Sequence, residues 1–319
     1  MTNTNHTQIK LLIMNNIWHG RLDGEDLLFH RIFQRVREEK NYDLISTKDF
    51  VLHGFAVDEG VLRNRGRQGA KDAPDIIRKN MANFPVIRPD FTLLDFGNIM
   101  CDGQNLEDAQ NDLAKNVSKV LLKNGRSVVL GGGHEVTYAH YLGVKTAFPE
   151  QKIGIINIDA HFDNREPENG VGASSGTGFW QIAQEGPISS LHIGIQRNSN
   201  TLKLFDTAHQ YGMKYILADE IFFENLPSVY QRINDLAESV DYLYLTICMD
   251  VFNASIAPGV SASAYNGIFA DAAFMHLYKH ILKSEKLVAL DVAEVNPLYD
   301  IQDRTARLAA TLINEWFMI

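Results

Sequence analysis

Apolar positions along the chain follow two rhythms. Runs at 50–55, 91–96, 127–130, 153–158, 191–195, 242–248 and 287–292 are rich in β-branched and aromatic residues and show no helical period. Such runs predict buried strands. Between them lie segments with apolar residues three and four apart. The clearest is 105–124, where Leu106, Ala109, Leu113, Val117, Val120 and Leu121 form one stripe and Gly125 stands where a C-terminal glycine cap belongs. A second helix is predicted after Pro74, with Ile76, Ile77 and Met81 on its apolar face. A third is predicted over 25–39, inside an N-terminal extension of residues 1–50. Apolar strands alternating with amphipathic helices predict an α/β fold with a mostly parallel sheet covered on both faces. No repeat, low-complexity tract or linker divides the 319 residues, so one domain over 1–319 is expected.

In sheets of this kind ligands bind beyond the carboxyl ends of the strands, and polar residues collect there. The run 127–130 leads into Gly131-Gly132-Gly133-His134-Glu135, and 153–158 leads into Asp159, His161 and Asp163. The run 242–248 contains Thr246 and Cys248 and is followed by Asp250. The run 287–292 carries Asp291 and is followed by Glu294-Val295-Asn296-Pro297. While the chain stays extended, Asp-x-His-x-Asp turns two carboxylates and an imidazole to one side. Such a cluster is costly to hold without a cation. A strand end that merely exposes its acids to solvent is the alternative, but four strand ends delivering ligand-grade residues at one edge favour a site. His134, Asp159, His161, Asp163 and Asp250 are more ligands than one mononuclear catalytic ion needs. Two divalent ions with bridging carboxylates and a bridging hydroxide are therefore expected, Mn2+ ahead of Zn2+ because carboxylates predominate. The triple glycine is read as letting backbone pass close to a metal or ligand.

Composition removes classes of partner. A net charge of −9 spread over many short segments argues against nucleic acid or an acidic membrane surface. Cys101 and Cys248 are the only cysteines, which excludes a disulfide framework and suits a reducing cytosol. The N-terminal residues are polar, and their apolar run is too short for a signal peptide or membrane span. A cytoplasmic protein acting on a small molecule is expected. Residues 57–70, with three glycines and the arginines Arg63, Arg65 and Arg67, read as a long, basic, functional loop.

Gly132-Gly133-His134, Asp159-Ala160-His161-Phe162-Asp163, Cys248-Met249-Asp250 with Ala257-Pro258-Gly259, and Glu294-Val295-Asn296-Pro297 together resemble the ureohydrolase (arginase/agmatinase) superfamily. The resemblance implies a three-layer α/β/α sandwich, arginase-like, and a homo-oligomer. It implies two Mn2+ ions held by His134, Asp159, His161, Asp163 and Asp250, with Glu294 on the amidine-type nitrogens of the substrate. Within the superfamily the chain is most similar to the formimidoylglutamase branch. That likeness rests on the stretch 63–70, Asp163-Asn164-Arg165, Ser174-Ser175-Gly176-Thr177, Gly194-Ile195-Gln196-Arg197 and 257–262. It implies hydrolysis of N-formimidoyl-L-glutamate to L-glutamate and formamide in histidine degradation, with Asp163 and Glu294 catalytic. A substrate with two carboxylates needs positive forks, and guanidinium binds carboxylate in a planar, bidentate way. Arg65, Arg67 and Arg165 are the candidates, with Asn64, Ser175 and Thr177 as hydrogen-bonding contacts.

The chain also departs from the superfamily. Cys248 stands where the Asp-x-Asp pattern has its first acid, and a thiolate prefers zinc or iron to manganese. Cys248 is expected as a metal ligand that makes the two positions unequal, opening the way to Zn2+ or to a single metal. The acid that precedes the turn histidine is Gly133 here, so one supporting carboxylate is missing. No histidine lies between 164 and 191 to shuttle protons. His140, on the helix after His134, is expected at the surface. An agmatinase-like guanidino hydrolase, a zinc-dependent deacylase and a metal-poor non-catalytic relative are the competing readings.

Overall fold

The computed structural model describes residues 17–88, 90–101 and 103–319. Its strands are β1 (Val36–Glu38), β2 (Phe50–Ala56), β3 (Leu93–Met100), β4 (Arg126–Leu130), β5 (Ile153–Ile158), β6 (Ser189–Ile195), β7 (Lys214–Leu217), β8 (Tyr242–Cys248) and β9 (Leu287–Ala293). They form one nine-stranded sheet in the order β1-β3-β2-β4-β9-β8-β5-β6-β7. Every pairing in it is parallel. In chain order the helices are α1 (Glu59–Arg63), α2 (Ala73–Met81), α3 (Leu106–Leu122), α4 (Val136–Ala147), α5 (Gly178–Gln184), α6 (Leu202–Gln210), α7 (Leu226–Ser239), α8 (Ala272–Leu282) and α9 (Arg304–Phe317).

Successive side chains on a strand face opposite layers, and the core divides accordingly. Ile156, Ile158, Leu245 and Ile247 pack with α2, α7, α8 and α9. Ile153, Ile155, Val129 and Tyr244 pack with α3, α4, α5 and α6. Both faces are covered, which is why the strands read as nearly unbroken apolar runs. The expected α/β sandwich is the fold observed. Strands β4, β9, β8 and β5 are consecutive neighbours in the sheet. Because they are parallel, their carboxyl ends meet on one edge.

Four local expectations need correction. Residues 25–39 are not a helix: they form 3-10 turns at Leu27–Phe29 and Ile32–Gln34 and then β1. Leu27 and Leu28 are exposed, and β1 pairs along β3, so edge pairing overrides a weak local period. The N-terminal extension thus contributes to the sheet, and Trp18 is buried with its Nε1 donating to Asp95 at 2.7 Å. The strand expected at 91–96 begins and ends later, as β3. The basic stretch 57–70 is not all loop, since α1 occupies its first half. At the end of α3, Asn124 takes the left-handed conformation (φ 59°). Gly125 follows it, its N–H returning to the Val120 carbonyl at 3.1 Å.

Candidate active site

The carboxyl ends of β4, β9, β8 and β5 surround a cavity of about 190 Å3. Among its lining residues are His134, His161, Asp163, Cys248, Asp250 and Glu294, with Asn64, Arg165 and Ser175 at another wall. Asp159 lies beneath, fully buried. All six side chains expected as metal ligands therefore converge. One atom each from Asp159, His161 and Asp250 lies within 4.8 Å of the others, and so does one each from His134, Asp159 and Cys248. Asp159 is common to both groups. His134 Nδ1 is 2.8 Å from Asp163 Oδ2 and 3.1 Å from Asp159 Oδ2. His161 Nδ1 is 3.2 Å from Asp250 Oδ2.

Strand β5 ends at Ile158, before any of its three ligand-grade residues. Their convergence comes from a bend, not from continued extension. Asp163 sits in the left-handed region (φ 45°), as does Glu294 (φ 66°). Such backbone is uncommon outside glycine and concentrates at functional sites. Each is pinned by its own hydrogen bonds: the Asp163 carbonyl accepts the Phe179 N–H at 2.9 Å, and Glu294 donates its N–H to the Gly132 carbonyl at 2.8 Å. Glu294 Oε1 also accepts the His134 N–H at 3.0 Å.

The glycine turn also passes close to the protein's own backbone. A Cβ on Gly132 would lie 1.8 Å from the Val57 carbonyl oxygen. At Gly132 the close neighbour that requires glycine is protein backbone just past β2.

Electrostatics in this pocket are dominated by burial. Burial, then the charge of Asp159, raises the Asp163 carboxyl above its ordinary value. Burial raises Asp250 in the same way, with Asp159 adding to it against the pull of His161. Burial also pushes the Cys248 thiol well up, with Asp159 and Asp250 adding to it. For the two imidazoles burial acts downward but is outweighed: hydrogen bonds donated to Asp159 and Asp163 hold His134 well above its usual value, and Asp250 with Asp159 does the same for His161. Asp250 Oδ1 is buried with no hydrogen-bond partner. A donor set of three carboxylates, two imidazoles and a thiol, packed this closely with an orphaned carboxylate oxygen, fits a divalent-cation centre.

A buried network behind His134 was not anticipated in full. His134 Nε2 lies 3.0 Å from Thr246 Oγ1, and that hydroxyl donates to Asp291 Oδ1 at 2.6 Å. Asp291 Oδ2 takes His140 Nδ1 at 2.7 Å and Tyr244 OH at 2.5 Å, and His140 Nε2 meets Ser127 Oγ at 3.0 Å. Since the Thr246 proton is committed to Asp291, His134 must present Nε2–H to Thr246. Its Nδ1 faces Asp159 and Asp163 and would offer a lone pair to a cation on giving up its proton. His140 is fully buried, contrary to the surface position expected of it. His192 is buried too, between Asn157 and Ser190, and burial pushes its pKa down to about 3. Neither histidine lines the cavity. Thr246 and Asp291 are register partners on β8 and β9, so their meeting followed from strand pairing, which composition alone does not reveal.

The expected substrate contacts divide. Arg165 is exposed at the cavity wall, and its Nη1 donates to Asn64 Oδ1 at 3.1 Å. Asn64 Nδ2 in turn donates to Ser175 Oγ at 3.2 Å. Among the described residues no carboxylate is ion-paired with Arg165. Arg63, by contrast, pairs with Glu59 and Glu107. Arg65 pairs with Glu168 at 3.0 Å and lines an adjoining cavity of about 240 Å3 that also touches Asn64 and Arg165. Arg67 does not reach the main cavity. It donates to the Val260 and Ser261 carbonyls and stacks on Tyr299 at 4.1 Å, so it holds the segment that brings Ser261 and Ala262 to the wall. Thr177 is buried and turned inward, its Oγ1 accepting the Ser174 N–H at 2.9 Å. A larger cavity of about 450 Å3 beyond β6 and β7, lined by Gln196, Arg197 and Asp219, holds none of the six donors.

The family model described as the arginase family matches residues 48–319. A formimidoylglutamase of Geobacillus sp. (strain WCH70) is 43% identical over 305 residues, covering 93% of this chain and 93% of the relative. One of Staphylococcus carnosus (strain TM300) is 39% identical over 305 residues, covering 94% and 97%. Among solved structures, formimidoylglutamase of Bacillus subtilis superposes with a TM-score of 0.83 at 20% identity, over 98% of this chain and 97% of that one. A Trypanosoma cruzi formiminoglutamase with Mn2+ gives 0.76 at 24% identity, over 85% and 93%. No helix among the described residues is long and apolar enough to cross a membrane. Sequence match, sheet order and converging strand ends agree, and the chain belongs to the arginase family.

Proposed function

We infer that this chain hydrolyses N-formimidoyl-L-glutamate to L-glutamate and formamide, a reaction of histidine degradation. Relatives of that name match at 39–43% identity over nearly the whole chain. The observation that carries the reading is a cavity with buried acids and imidazoles at its floor and, at its wall, a guanidinium that no carboxylate pairs with among the described residues. Away from the reacting end agmatine carries an ammonium and arginine an ammonium beside one carboxylate, whereas formimidoylglutamate brings two carboxylates and no ammonium, which suits Arg165. The unbroken sheet from β1 to β7 supports treating the chain as one catalytic unit.

Two Mn2+ ions are the cofactors proposed, held by His134, Asp159, His161, Asp163, Cys248 and Asp250. When bound they neutralise the buried carboxylates and acidify a water to near-neutral pKa. Arg165, Asn64 and Ser175 hold the substrate carboxylates and so fix the amidine over the floor. Glu294 accepts the amidine N–H groups and stabilises the positive charge on that end. Asp163 accepts a proton from the attacking water as its oxygen bonds to the formimidoyl carbon. The same carboxyl then returns the proton to the glutamate nitrogen, the C–N bond breaks, and formamide and the free amine leave. His140 and His192 are too deeply enclosed for that transfer.

Incubating the manganese-loaded protein with formimidoylglutamate and following both products by proton NMR tests the reading. Equimolar glutamate and formamide are expected. Release of ammonia with formylglutamate would mean the other C–N bond breaks, and the assignment would be wrong.

A further inference from the structure

Glu135 takes no part in the chemistry above, yet it follows His134 directly and is completely buried. Its Oε1 accepts the Gly60 N–H at 2.8 Å, and its Oε2 has no hydrogen-bond partner. A Cβ on Gly60 would lie 2.5 Å from the Glu135 Cδ, and one on Gly133 would lie 2.0 Å from its Oε2. The carboxyl occupies a slot that two glycines leave open. Burying an acid is costly, and an apolar side chain would fill the same space. The carboxyl expected to be missing before His134 is thus present on its other side, directed at the loop.

What the acid holds is informative. The Gly60 carbonyl accepts two N–H groups, from Asn64 at 2.9 Å and from Ser175 at 3.1 Å. Those two side chains are bonded to each other, and Asn64 receives Arg165. Through its N–H and its carbonyl Gly60 therefore links Glu135 to Asn64 and Ser175, and through the Asn64 side chain to Arg165, so Glu135 grips this residue from the turn that carries His134. His134 has separate supports in Glu294 and Thr246. Loss of the Glu135 grip moves the clamp and leaves the floor in place.

We propose that Glu135 is a positioning residue that sets the distance between the carboxylate clamp and the reacting carbon, and so selects substrates whose carboxylates lie at a fixed reach from the amidine. The proposal rests on the functional reading above. Its test compares wild type, Glu135→Ala, Glu135→Gln and Gly60→Ala, each loaded with manganese, on formimidoylglutamate and on N-methylformamidine, which has no carboxylate to clamp.

For Glu135→Ala the KM for formimidoylglutamate should rise about tenfold with kcat within about threefold, while kcat/KM for N-methylformamidine holds. Glu135→Gln keeps an acceptor for Gly60 and should stay near wild type. Gly60→Ala displaces the carboxyl without removing it and should reproduce the KM shift even if Glu135→Ala folds poorly. Amide exchange over 60–65 and 174–176 should quicken in Glu135→Ala. Equal losses on both substrates, no loss on either, or Glu135→Gln as impaired as Glu135→Ala would overturn the proposal. Wild type that turns over N-methylformamidine but not formimidoylglutamate would bring down the functional reading, and the proposal with it.

Discussion

Asp163 and Glu294 hang from left-handed backbone, at a cost of about 1–3 kcal/mol each for residues other than glycine. Neither conformation is visible in the sequence, because nothing local favours it. It is imposed by the hydrogen bonds of Phe179 and Gly132. The identities of the cluster were legible, since acids and histidines at strand ends have few other uses. The orientation of His134 was not, because it depends on Thr246 and Asp291 from two other strands. Replacing Thr246 with Val keeps the shape and removes the hydroxyl. Metal affinity should then fall about 10–100-fold. The unpaired imidazole N–H and carboxylate should destabilise the fold by about 1–3 kcal/mol. Competition with a chelator and a thermal melt would check both, and unchanged values in each would remove the network from the account.

At the scale of elements, β5, β8 and β9 were readable because burial on both faces leaves an apolar run that little else produces. The helix stripe of α3 was equally plain. Residues 25–39 misled because their apolar positions serve turns and an edge strand, and edge pairing leaves no period of its own. His140 misled for a related reason: α4 is buried against α3 as well as the sheet, so a polar residue on it need not face water. The junction of α2 and β3 was also hidden. Arg78 is 1% exposed and grips Asp95 with Nε and Nη2, both at 2.9 Å. Truncating it to Ala leaves Asp95 buried with its main counter-charge gone. A loss of about 3–5 kcal/mol is expected by urea denaturation. A loss below about 1 kcal/mol would mean that Trp18 and the Gly97 N–H suffice for Asp95.

The whole molecule is a parallel sheet whose middle strands end in acids, and cations bound among them would offset their charge. Ligand binding to the folded state alone adds about 2.7 kcal/mol at a hundred times the dissociation constant. Chelation should therefore lower the thermal midpoint by several degrees, and readdition of Mn2+ should restore it. A midpoint indifferent to chelator would favour the metal-poor reading. Two features of the site bear on its chemistry: Cys248 among the donors, and Arg165 facing the cavity with no carboxylate ion-paired to it among the described residues.

The measurement that bears most directly on the account is the ratio of kcat/KM for formimidoylglutamate to that for agmatine and arginine, taken on wild type and on Arg165→Met under identical manganese loading. The account predicts a wild-type ratio far above unity that falls about 10–100-fold in the variant, through KM, with metal content unchanged. A wild-type preference for either guanidino compound, or a ratio indifferent to Arg165, would contradict it.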